Sequence, residues 1–254
     1  MSAVVPGESL ASDSALLNIA VSYDGHDLLN VGNATAESAY GGWAIAIGDG
    51  ATASAGLGDG LSNFALALGS GSNAMAAAGP FNVALAYDGA SAYSGFYRGG
   101  DDYSTGSWDF AAAFGRGSTA NAAGEMYNTA LAGWGGTAQA GYSSESSPPG
   151  HYVYPGGHIF AGAFGSDSDA SGGWGDNLYA LVFGDNSHAI AGGLNPGDDF
   201  HDDWALVFGN DLTADATGAD GLFHFQPGDF TSFADLVAAF ASELGLDWLL
   251  GGFD

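Results

Sequence analysis

Between Leu28 and Gly218 one short theme recurs, and it has the period of a β-strand. Large side chains take every second position in Trp43, Ile45, Ile47; Phe64, Leu66, Leu68; Val83, Leu85, Tyr87; Tyr179, Leu181, Phe183; and Trp204, Leu206, Phe208, with mostly alanine between them. Period two sends successive side chains to opposite faces. A glycine-based turn follows, then a second alternating run such as Thr52-Ala53-Ser54-Ala55 or Thr119-Ala120-Asn121-Ala122. Glycine precedes alanine by five residues in Gly48/Ala53, Gly69/Ala74, Gly115/Ala120, Gly165/Ala170, Gly184/Ala189 and Gly209/Ala214. Asp88/Ala92 and Trp134/Ala138 are copies one residue shorter, and successive anchors lie 21, 19, 27, 19, 31, 19 and 25 residues apart. A short period of this kind marks a stacked array. Two short strands per repeat make one coil, and only stacking buries its apolar face. The expected fold class is therefore all-β. It is a β-solenoid, or β-roll, of eight to nine short Gly/Ala-rich coils, roughly 40 Å long at about 4.8 Å per coil.

Period two leaves open which face is inside. The first assignment places the large residues within the roll and alanine outside. Ala44, Ala46, Ala65, Ala67, Ala84 and Ala86 then form a flat outer face that a second sheet can approach closely, an expected assembly face between subunits. The alternatives are a face covered within the chain, and a roll with alanine inside. The second outward column reads Thr35, Thr52, Asn73, Ser91, Thr119, Thr137, Asp169, His188, Thr213. A threonine ladder on a solenoid suits an ice-binding surface, but β-propensity also explains threonine there.

Ala44–Gly56, AIAIGDGATASAG, resembles the head repeats of trimeric autotransporter adhesins, and the likeness runs from about Leu28 to Gly218. The resemblance implies a left-handed β-roll and a trimeric surface adhesin with a coiled-coil stalk and a membrane β-barrel anchor. This chain departs from that pattern in its longer, irregular coils and in showing neither heptad stalk nor anchor.

Around the repeats we expect an N-terminal arm over 1–14, the solenoid over 15–220, and a C-terminal cap over 221–254. From Thr231 the period becomes helical, with Phe233, Leu236, Val237, Phe240 and Leu244 on one stripe and Gly245 as the stop,. Long connections fall at 96–108, 143–157 and 194–204. Loops held out by a rigid scaffold commonly carry binding. Tyr97, Tyr103, Trp108, Tyr152, Tyr154 and Phe200 are candidate ligand-binding residues there, suited to stacking on a glycan. Asp101, Asp102, Asp198, Asp199, Asp202 and Asp203 are candidate calcium ligands, since calcium takes six to eight oxygens. Solvated turns are the competing explanation.

Charge narrows the partners. The chain has 29 acidic residues against two arginines, for a net charge of −27. Phosphate binding needs cations, so nucleic acid is excluded as a partner. There is no cysteine, hence no disulfide and no thiolate metal site. No apolar run is long enough to span a membrane as a helix. The opening MSAVVPGESLASDS lacks the basic and apolar regions of a signal peptide,. Catalysis is not expected: no thiol nucleophile, lysine base, P-loop or G-x-S-x-G motif is present. The expected protein is an extracellular or cell-surface structural subunit that self-assembles into a fibre or coat. It needs no cofactor other than a candidate calcium. An adhesin that binds glycan or host surface is the alternative, and an ice-binding solenoid is the second.

Overall fold

The computed structural model describes residues 17–57, 61–95, 106–124, 126–141, 157–193 and 200–227. They form an all-β solenoid. Each coil contributes one strand to each of two facing sheets. The longer sheet has eleven strands, the shorter nine. In the longer sheet, Trp43–Ile47, Phe64–Leu68, Val83–Tyr87, Phe110–Phe114, Thr129–Gly133, Phe160–Phe164, Tyr179–Phe183, Trp204–Phe208 and Phe223–Pro227 stack parallel without a register shift. The shorter sheet stacks Thr35–Ser38 through Thr213–Ala216 in the same way. Its one irregularity lies between Ala55 and Leu57.

The alanines are inside. Ala44, Ala46, Ala65, Ala67 and Ala84 have no exposed surface, and Ala86 has 3%. From the shorter sheet Ala53, Ala74, Ala92, Ala120 and Ala138 join them in one core cluster. This corrects the assignment of an alanine assembly face, and the reason is perimeter. A 19-residue coil spends five residues on one strand, four or five on the other, and the rest on tight corners. The space between the sheets then suits small side chains, alanine through most of the stack and Val182 and Val207 towards the far end. Such a core works by number: each alanine buries little area but loses no rotamer freedom. The large residues of the longer sheet point outward.

The corner after each longer-sheet strand requires left-handed backbone twice. Gly165, Gly184 and Gly209 adopt φ of 137, 139 and 136°, and Asp167, Asn186 and Asp211 follow at 55, 52 and 58°. Aspartate and asparagine tolerate the second conformation, but the first is open only to glycine. A Cβ on Gly184 would also overlap the Gly209 carbonyl of the next coil. Replacing Gly184 by alanine should destabilise the protein by about 3 kcal/mol or more. Urea unfolding checks this, and a midpoint shift no larger than that of Gly50→Ala, where the space around the Cβ is open, would count against it.

The two ends are closed differently. At the first, Ile19–Tyr23 pairs antiparallel with both Trp43–Ile47 and His26–Val31. Inside it, the hydroxyls of Ser22 and Ser38 lie 2.7 Å apart. At the other, Phe223–Pro227 continues the sheet past the expected boundary at residue 220. Here His224 and Gln226 pair with Ala205 and Val207, so polar residues replace the usual small apolar ones. The His224 ring nitrogen accepts the Asp215 backbone N–H at 3.0 Å. The expected C-terminal helix lies outside the described residues.

Candidate binding surfaces

Every long connection leaves from the same corner, the one before a longer-sheet strand. That corner is held from within by a ladder. Asn63, Asn82, Asp109, Asn128 and Asp203 occupy one buried position in successive or nearby coils, where Ile159 and Leu178 also stand. Each Oδ1 accepts the backbone N–H of the next coil's ladder residue. The distances are 2.8 Å for Asn82 on Asn63, 3.0 Å for Asp109 on Asn82, 2.9 Å for Asn128 on Asp109 and 3.1 Å for Ile159 on Asn128. The Asn82 amide donates to the carbonyls of Ala77, Ala78 and Gly106, each at 2.9 Å. The Asn128 amide donates to Ala123 O at 2.9 Å. Asp109 has no amide to offer, and its Oδ2 is buried without a partner. Burial pushes its carboxyl up to about 7 against one backbone hydrogen bond from Asn128. Asp203 is raised as well, first by burial and then by the charges of Asp220 and Asp202.

Outside the ladder stands a strained column. Phe81, Trp108, Tyr127, His158, Asn177 and Asp202 all have φ between 59 and 63°. For a bulky residue this conformation is an outlier, costing about 1–2 kcal/mol. Ring stacking offsets part of it. Phe81 and Trp108 have centroids 4.5 Å apart, Trp108 and Tyr127 6.4 Å, and Tyr127 and His158 5.1 Å. All four rings are exposed. Farther along, the Asn177 amide donates to the Asp202 carboxylate at 3.1 Å, and the column becomes acidic.

The outer face of the longer sheet is the larger surface. Its three columns begin Trp43, Phe64, Val83; Ile45, Leu66, Leu85; and Ile47, Leu68, Tyr87. None of the outward positions from Ile19 to Pro227 holds a charged residue. Small residues in the middle do not leave a pit. Leu181, Phe160 and Phe164 close over Gly162, and Phe164 also leans across Gly133. Along the rim, Phe164 stacks on Phe183 at 5.0 Å and Phe183 on Phe208 at 5.3 Å. Trp43, Tyr87, Phe114, Trp204 and Phe223 remain more than a third exposed. Monomeric proteins rarely expose apolar patches beyond a few hundred Å². One aspartate, Asp27, lies in the edge strand His26–Val31, paired with the inward-facing Ser22; other acidic groups stand on the corners (Asp49, Asp88, Asp185, Asp211, Asp220), in the short strand Gly175–Asp176 and on the shorter sheet (Glu37, Asp169, Asp215).

The shorter sheet's outer face carries the mixed threonine column in register. Asp169 and His188 interrupt it, and burial holds the Asp169 carboxyl above the usual range while His188 pulls it down.

Of the residues expected to bind ligands, Trp108 is 52% exposed within the strained column. Phe200 is half-buried in a two-residue strand against Gly175–Asp176. Tyr97, Tyr103, Tyr152 and Tyr154 lie outside the described residues, as do Asp101, Asp102, Asp198 and Asp199. Asp202 and Asp203 cannot serve one calcium ion together. Asp202 is on the surface, whereas Asp203 turns inward and accepts the Leu222 N–H at 2.8 Å. Among the described residues no three histidine or acidic side chains form a metal-holding group. None forms a helix long and apolar enough to cross a membrane. The ladder and the strained column were missed from sequence. Asn or Asp precedes many of the longer-sheet strands in the sequence, but the role of these residues requires the coil register.

No protein-family model, curated protein or solved structure matches this chain. The likeness to adhesin heads thus rests on the coil pattern alone.

Proposed function

We propose that the protein is a non-enzymatic structural subunit that associates with itself outside the cell or at its surface, in a fibre or coat. One observation carries this reading: a broad apolar sheet face on a chain of net charge −27. Charge of that size keeps other surfaces apart, and the apolar face is where association gains most. The solenoid supplies stiffness, because each coil is bonded to its neighbours along both sheets.

Sedimentation and negative-stain micrographs test it. Association should strengthen from about 0.01 to 0.1 M salt, as the Debye length falls from about 30 to about 10 Å. A monomer at every salt and protein concentration would overturn the reading. An adhesin reading draws on the exposed rings of Phe81, Trp108 and Tyr127. It predicts a change in tryptophan emission on titration with glycans.

A further inference from the structure

We propose that the elementary assembly is a pair of chains with their longer-sheet faces apposed, an inference that rests on the self-association proposed above. Eleven strands about 4.8 Å apart span about 50 Å, and five residues span about 16 Å,. Apposing two such faces removes about 1,500 Å² in all, the size of a standard stable interface. Over Gly133 and Gly162 neighbouring side chains occupy the space that a Cβ would take. One continuous face is satisfied by one apposed partner, whereas a ring of three needs two contact faces set at an angle on each subunit.

Charge selects a second copy over other occupants. Two uncharged faces bring no buried charge into contact, and the acidic corners stay at the rim in water. Thr231–Gly245, the segment whose sequence has helical period, would span about 22 Å as a helix at 1.5 Å per residue, under half of the face and too short to be its whole cover. The ends are poor alternatives for growth. One is an antiparallel hairpin, and the other presents His224, hydrogen-bonded back to Asp215, and Gln226.

The test is sedimentation equilibrium of the full chain at 0.15 M salt beside three variants. Leu131→Asp puts a carboxylate near the centre of the face, and Tyr87→Asp puts one at a residue 55% exposed in the single chain. Thr119→Asp, on the outer face of the shorter sheet, is the control. The wild type and Thr119→Asp should sediment as dimers. Leu131→Asp should raise the dissociation constant at least about 100-fold, because a charge buried without a partner is strongly disfavoured. Tyr87→Asp should do the same with an unchanged circular dichroism spectrum, which covers the case in which Leu131→Asp fails to fold. Dimers that persist in a folded Tyr87→Asp protein would overturn the pair but leave self-association standing. A trimeric mass would do likewise. A monomeric wild type would overturn both.

Discussion

Glutamate in place of Ala67 should leave no folded protein. Ala67 has no exposed surface and belongs to the alanine cluster between the sheets. Its cross-strand neighbours are Ala46 and Ala86, also inward. A glutamate there must either force the sheets apart or lie charged in a layer of methyl groups without a partner. Each costs several kcal/mol, against a total stability of about 5–15 kcal/mol for a domain. Glycine at the same position only deletes a methyl and loosens the strand, at about 1 kcal/mol. Glutamate at Thr119, on the outer face of the shorter sheet, should cost about 0.5 kcal/mol or less. Circular dichroism and thermal unfolding of the three proteins decide the matter. A folded Ala67→Glu protein with the wild-type spectrum would show that the alanines face solvent.

That substitution separates what the sequence could say from what it could not. The alternation at Trp43–Ile47 and its copies specified strands, and the 19-residue intervals specified coils. Neither fixed direction, because period two is unchanged when a strand is turned over. The deciding quantity was geometric: a corner as short as Gly48–Ala51 cannot hold two sheets far enough apart for Trp43 and Phe64 to fit between them. The general rule that large apolar residues lie inside pointed the wrong way. It fails here because the narrow space between the sheets takes small side chains, so the large ones stand on the outer face. The last strand, Phe223–Pro227, escaped notice because His224 and Gln226 break the alanine pattern while keeping the register. The aromatic column was hidden for another reason. Phe81, Trp108, Tyr127 and His158 lie 19 to 31 residues apart in sequence, and only the stack brings their rings together.

The asparagine ladder leads to the second large effect. Asp109 occupies a position where Asn82 and Asn128 donate their amides to carbonyl groups. Its carboxyl is pushed up to about 7 by burial, from 3.8. The folded state therefore holds the proton more tightly than the unfolded chain. Stability from this group is fully present below about pH 4, falls as pH rises towards 7, and is flat above it. At 1.36 kcal/mol per pKa unit the loss is about 4 kcal/mol at most. Asparagine keeps the Oδ1 acceptor for the Asn128 N–H and adds the missing donor without a charge. Asp109→Asn should accordingly raise the melting temperature by about 5–15 °C at pH 8, taking about 2–4 °C per kcal/mol for a chain of this size. At pH 4, where the wild-type carboxyl is protonated, the two curves should nearly coincide. The raised carboxyls of Asp169 and Asp203 and the repulsion among the surface acids change with pH in both proteins. They cancel in the difference between them. A gap that stays constant from pH 4 to pH 8 would mean that Asp109 is not the group being titrated, and that its unpartnered oxygen reaches water.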